Sequence, residues 1–380
     1  MNILLVTMSM DIGGAETHIL ELAKELKKRK NNVFVVSAGG KLVEKLIESG
    51  IEHVYAPLKD KKINHIIKSY KTIKSMIIEK KIDVVHAHAR IPGAICGTVC
   101  KKIHVPFVTT VHGIYKVNFI YKLLTNWGER TLAVSEDIKN QVIKDYKLKK
   151  ENVKVTINGI DTEKFKKNLE KKQEMQKEIG LKSGKKTVIH ISRLDRESSN
   201  VAETLIKISP SLAKKGVQIV IVGDGNNFDE LKKIASNAPN IIMTGARTDV
   251  NDVLNVADVF VGVSRSALEA MATEMIVILA GNKAYNQGYQ GIFEKEKLKD
   301  ALNTNFCCRA MKMLEPEELE SDIEKALKMN ENDEMGKYNR NVVERYYSVQ
   351  KMADDAVQMY NEILEEKGSN SLFGDSIAKK

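Results

Sequence analysis

Short runs of β-branched residues alternate with longer amphipathic stretches, and this rhythm is played twice along the chain. In the first half the runs are NILLVTM, NNVFVVSA, HVYA, DVVHAHA, PFVTTVH, RTLAVS and VKVTIN. Strands this rich in Val, Ile and Thr are buried on both faces, as in a parallel sheet flanked by helices. THILELAKELKKR and KLVEKLIES, between them, carry apolar residues at helical spacing. The second half restarts with TVIHISR, VQIVIVGD, IIMTGA, VFVGVS and MIVILAG. At 380 residues the chain exceeds one ordinary domain. An α/β fold of two Rossmann-like, doubly wound parallel-sheet domains is the simplest account.

The seam falls near INGIDTEKFKK, where Asn158-Gly159 signals a turn and a highly charged stretch follows. The expected domains are therefore 1–160 and 161–348. Helical periodicity returns over 349–366, and the polar, Gly- and Ser-rich residues 367–380 are expected to be disordered.

Several function classes are disfavoured at once. MNILLVTMSM has neither a basic flank nor a long apolar core, so it reads as a first strand rather than a signal peptide. No run approaches the roughly 20 apolar residues of a spanning helix, and a cytoplasmic protein is expected. Cys96, Cys100, Cys307 and Cys308 make neither a disulfide framework nor a CxxC metal site. The formal charge of +10 suits an anionic partner, but no recognition motif supports nucleic acid. Many lysines fall within Lys59–Ile82, between Ile63, Ile66, Ile67, Tyr70, Ile73, Ile77 and Ile78 at helical spacing. Such a helix either packs on the sheet with a solvated outer face or rests on anionic lipid headgroups.

Four places carry candidate chemistry. Gly13 and Gly14 stand between a strand and a helix, where backbone amides approach an anion, although a plain turn would look the same. His86, His88 and His112 fall at strand C-terminal ends, the edge that borders ligand crevices in open α/β sheets; Gly113 leaves His112 room. Arg193 follows the first strand of the second half and suits a diphosphate, or merely a surface ion pair. Ser264 and Ser266 are candidate N-caps of a helix bearing Glu269, whose carboxylate fits a ribose diol or simply the helix dipole.

Together GGAETHILELAKEL, DVVHAH, TTVHG, LAVSEDIK, VTINGIDTEKF, the strand before Arg193, IVGDGNNFDEL, ADVFVG and LEAMATEMIVILAG resemble the family 4 retaining glycosyltransferases of GT-B fold, in order and over nearly the whole chain. The resemblance implies two domains facing across a cleft, with the helix 349–366 completing the N-terminal, acceptor domain. The co-substrate would be a nucleotide-diphosphate sugar, UDP-linked rather than GDP-linked, with no cofactor or metal. Gly13 and Gly14 would lie beside the donor diphosphate, and Glu16, His86 and His88 on the acceptor side. His112 would face the transferred sugar, Arg193 would neutralise the diphosphate and Glu269 would hold the ribose. Gly223 would admit the nucleotide, and Gly245 to Arg247 would lie near the base.

The chain departs from the family pattern twice. Val261 stands where the first of two paired glutamates is usual, with Ser264 and Arg265 nearby on the donor side, and Ser198 stands where a lysine is usual. Arg196 or Arg265 would have to replace the lost charge. The implied activity is metal-independent, retaining transfer to a cell-surface polysaccharide or glycolipid, with a saccharide or lipid-linked acceptor, by a protein that is cytoplasmic or peripheral at the inner face of the cell membrane. The alternatives are an inactive binder of nucleotide sugar or partner, and a nucleotide-sugar 2-epimerase.

Overall fold

The computed structural model describes residues 1–114, 117–329 and 334–374. The chain forms two compact units, one of Met1–Gly159 with the segment from Val349, the other of Ile160–Ser348.

Unit 1 holds a seven-stranded sheet: β1 (Asn2–Val6), β2 (Asn32–Ser37), β3 (Glu52–Tyr55), β4 (Val84–Ala87), β5 (Phe107–Val111), β6 (Arg130–Ala133) and β7 (Val153–Val155). Their order is β3-β2-β1-β4-β5-β6-β7, and every pairing is parallel. The winding reverses between β1 and β4, which makes their carboxyl ends the natural ligand edge. The helices Ile63–Glu79 and Arg90–Ile103 bury Ile73, Ile77, Ile95 and Val99 against Leu4, Val6 and Val85.

The lysine-rich helix buries Ser69, Ile73, Met76 and Ile77, whereas Ile63, Ile67 and Ile78 stay exposed. Its apolar residues thus cover more of its circumference than the sheet can bury. Cys96 and Cys100 are buried, reduced side chains in the second helix.

The C-terminal helix Val349–Gly374 belongs to unit 1, with Met352, Ala353, Ala356, Met359 and Tyr360 buried. It does not stop at 366 as its periodicity predicts. Lys367 pairs with Glu129 at 2.9 Å and Glu366 with Arg130, so tertiary ion pairs carry the helix into the polar stretch. Residues 375–380 of the expected tail lie outside the described residues.

Unit 2 holds β8 (Lys186–Ile191), β9 (Val217–Val222), β10 (Ile241–Gly245), β11 (Val259–Gly262), β12 (Ile276–Ala280) and β13 (Tyr289–Ile292), in the order β10-β9-β8-β11-β12-β13. The winding again reverses beside the first strand, between β8 and β11. The strand β13, which the periodicity does not reveal, pairs antiparallel with β12. Four residues that include a glycine at φ 74° are too short and irregular to read as a strand. The core unites Val188, Ile219, Val259 and Ile276 with Leu205, Leu212, Ile323 and Leu327 from the helices Asn200–Lys214 and Pro316–Met329.

Candidate functional site

In unit 1 the ligand edge is a nest of imidazoles. His86 and His88 flank the end of β4, His112 follows β5, and His18 comes from the helix Gly14–Lys28 after β1. His88 Nδ1 lies 3.1 Å from His112 Nε2, and His18 meets the ring of His112 edge-on at 4.7 Å between centroids. Burial pushes His112 down to about 4 and holds His88 well below the usual histidine range. Both rings are therefore neutral near pH 7, and each can donate one hydrogen bond and accept one. Among the described residues His88 Nε2 and His112 Nδ1, both buried, have no hydrogen-bond partner, a state that costs about 1–3 kcal/mol per group unless something pairs with it.

His86 is a correction. It is fully buried, its Nδ1 is 2.6 Å from the Tyr360 hydroxyl and its Nε2 is 2.7 Å from Thr110 Oγ1. With both nitrogens engaged by the protein, the ring has nothing to offer an acceptor; it ties the C-terminal helix to β4 and β5. His18, by contrast, is absent from the sequence-based candidates. Its signal is its place one turn into the helix that follows two glycines; its Nδ1 lies 3.2 Å from Asn158 Oδ1.

Gly13 is extended, at φ −174°, which any residue adopts, but a side chain there would strike the Glu16 carboxylate folded back over it. Open space surrounds Gly14. Glu16 thus sits over the turn itself. Among the described residues, His18, His88 and His112 form the group whose donor atoms, all within 4.8 Å of one another, have a spacing that could hold a metal ion.

In unit 2 Arg193 leaves the end of β8 with its side chain 60% exposed, touched by Asp195 at 3.8 Å. Its loop is clamped by the loop after β9. Leu194 donates its amide to Asp224 O at 3.0 Å, Asn226 donates to Asp195 Oδ1 at 3.0 Å, and Arg196 donates to Asn226 Oδ1 at 2.9 Å. Gly223 serves this clamp: at φ 146°, a Cβ would collide with the Ser192 carbonyl oxygen. The close approach read as room for a nucleotide is thus made by the neighbouring strand end. Ser198 is buried and donates to the Arg193 carbonyl at 3.2 Å, so it tightens the turn and brings no charge. Arg196 lies 3.5 Å from Glu230.

Ser264 and Ser266 do not cap the helix Ser264–Ala272. The N-cap is Val263, Ser266 donates to the Val263 carbonyl at 3.1 Å, and Ser264 sits at φ 59°, strained for a residue with a Cβ. One residue, Val263, separates β11 from the helix, and Val261 is buried within the strand. Glu269 is the sixth residue of the helix, past the first turn where the dipole acts. Its carboxylate accepts from Arg265 Nε at 2.8 Å, both side chains being nearly buried. It is therefore held by its own helix and is not presented openly.

Arg247 is likewise engaged. It donates to Asp249 Oδ1 and to Glu178 Oε1, each at 2.8 Å, and the two carboxylates raise its pKa. Its charge is neutralised by these two carboxylates. Gly245, at φ 75°, ends β10 in open space.

A glycosyltransferase family 4 model matches residues 12–164, and a glycosyl transferases group 1 model matches 185–304. The chain is 23% identical to alpha-monoglucosyldiacylglycerol synthase of Streptococcus pneumoniae, over 72% of this chain and 69% of that protein. It is 27% identical to an Escherichia coli UDP-Gal:alpha-D-GlcNAc-diphosphoundecaprenol alpha-1,3-galactosyltransferase, over 60% of this chain and 64% of the other. A Rickettsia africae glycosyltransferase structure superposes with a TM-score of 0.78 at 21% identity, covering 96% of this chain and 98% of that one. Anabaena HepE in complex with UDP superposes with a TM-score of 0.76 at 16% identity, covering 95% and 100%.

Proposed function

The chain belongs to glycosyltransferase family 4 and has the GT-B fold, and from that premise we propose that it is a retaining, metal-independent transferase. It moves a sugar from a nucleoside-diphosphate sugar, UDP-linked in preference to GDP-linked, to a saccharide or lipid-linked acceptor of the cell envelope. The observation that carries this reading is Arg193, an exposed guanidinium on a clamped loop beside the β8–β11 reversal. A diphosphate gains negative charge as it leaves, and a preorganised cation stabilises that charge most in the transition state.

In the step proposed, the bond between the donor's anomeric carbon and the diphosphate oxygen breaks, with the electron pair going to the diphosphate. The acceptor hydroxyl bonds to the same face of that carbon, and its proton passes to the departing phosphate oxygen. Neutral His112, with Nδ1 available, hydrogen-bonds a hydroxyl of the transferred sugar. The donor choice is supported by the likeness to UDP-bound HepE, and the acceptor class by the diphosphoundecaprenol-linked sugar in the name of one curated relative and the glycolipid in the name of the other. Among the described residues no helix is long and apolar enough to cross a membrane; the protein works in the cytoplasm, peripherally at the inner face of the membrane.

One observation favours a second reading, an inactive binder of nucleotide sugar: Glu269 is bonded to Arg265 within its own helix. Both readings meet one experiment. UDP should raise the melting temperature of the purified chain more than GDP or ADP does. Slow release of UDP from a UDP-sugar then identifies the enzyme, and its absence across a donor panel identifies the inactive binder. Glu269→Ala should weaken UDP binding about tenfold if that carboxylate holds the ribose; unchanged affinity removes it from the site.

A further inference from the structure

Between the lysine-rich helix Ile63–Glu79, the helix Arg90–Ile103 and the short helix Phe119–Leu124, unit 1 holds a cavity of about 730 Å³. Its walls are apolar, formed by Ile66, Ile91, Ile95 and Leu124 among others. A sugar buried there would lose water from its hydroxyls and find few partners. Two cations line the same cavity: Lys61 Nζ and the Arg90 guanidinium lie 5.1 and 4.8 Å from the centroid of the Tyr121 ring. Met8 and Ala89, which follow β1 and β4, also line it, so it adjoins the reversal where His88 and His112 sit. Ile63, Ile67 and Phe119, on the helices that bound it, are 76%, 50% and 77% exposed.

We infer that this cavity takes the hydrocarbon chain of a lipid-linked acceptor whose phosphate or diphosphate pairs with Lys61 and Arg90. Apolar walls beside two cations complement an anionic amphiphile. The adjoining strand ends then receive the head that bears the acceptor hydroxyl. The assignment rests on the transferase reading, whose acceptor it specifies.

The test is a titration of the full chain with octyl, decyl and dodecyl phosphate below their micelle concentrations, against inorganic phosphate. Binding is followed by calorimetry and by the fluorescence of Trp127, which lines a small adjacent cavity with Ala89 and Arg90. Each added methylene should tighten binding about fourfold, and inorganic phosphate should bind far more weakly. Ala94→Trp, on the cavity wall, should cost the dodecyl compound at least tenfold; Thr98→Phe, at an exposed position on the same wall, should do the same if the first variant folds poorly. A flat chain-length series, or a series indifferent to both variants, overturns the inference. So does loss of binding to phosphatidylglycerol vesicles in these variants with the alkyl phosphate series intact, because the cavity would then anchor a bilayer. Failure of UDP to raise the melting temperature, with the series rising as expected, counts against the transferase reading and leaves the lipid-phosphate site standing.

Discussion

Unit 1 and unit 2 reverse their winding at equivalent places, between β1 and β4 and between β8 and β11, yet one edge carries neutral imidazoles and the other guanidinium groups. After β4 and β5 come His88 and His112, stacked at 5.4 Å between ring centroids and neutral because burial disfavours their charge. After β8 and β11 come the guanidinium groups of Arg193 and Arg265. Imidazole answers desolvation by giving up its proton; guanidinium cannot, and must find a carboxylate or remain in water. Arg265 takes the first course with Glu269 and Arg193 the second. One winding therefore serves as a scaffold for two chemistries: an uncharged lining suited to sugar hydroxyls and a cation suited to diphosphate.

Acid should separate the two units most strongly. In the unfolded chain a histidine takes up its proton near pH 6.5, whereas folded His86 and His112 do so only at about 3 and about 4, and His88 well below 6.5. Below pH 6.5 the unfolded state thus binds more protons, and stability falls as pH falls, by about 1.4 kcal/mol per pH unit for each such histidine. In unit 1 these three fully buried rings give about 4 kcal/mol per pH unit at most, and half-buried His53 is lowered by burial as well; unit 2 has His190, held at about 4 by burial. Between pH 6.5 and 5, the fluorescence of Trp127, the single tryptophan and part of unit 1, should report unfolding before far-ultraviolet circular dichroism does. Coincident transitions would break the contrast.

Next in size is Arg193→Ala, which should lower kcat for sugar transfer by about 10²–10³, or about 2.7–4 kcal/mol, with the melting temperature unchanged. A loss below threefold would remove the cation from the chemistry. Tyr360→Phe should strand the buried His86 Nδ1 and lower the stability of unit 1 by about 1–3 kcal/mol. The UDP binding proposed for unit 2 should survive, and an unaltered Trp127 melting curve would show that this hydrogen bond carries no weight. The smallest effect expected is from a chelator, which should leave activity as it was. Activity lost to chelation and restored by a divalent metal would point to His18, His88 and His112.

The double winding, the seam and most strands were legible in the residues, because β-branched runs and helical spacing are local properties. The edge positions of Arg193, His88 and His112 were legible for the same reason, since each closely follows an apolar run. What each side chain does there was not. His86 looks like its neighbour His88 in sequence, but Tyr360, 274 residues away, converts it to a structural brace. Arg247 meets a carboxylate 69 residues away, and Gly223 is required by the Ser192 carbonyl on another strand. Even the Arg265–Glu269 pair, four residues apart, became evident only once the helix was seen to begin at Ser264. The sequence by itself determined where strands end and which residues stand there. Only the tertiary structure decided which of those residues keep an open polar atom, because burial and pairing depend on groups that the chain brings together from far apart.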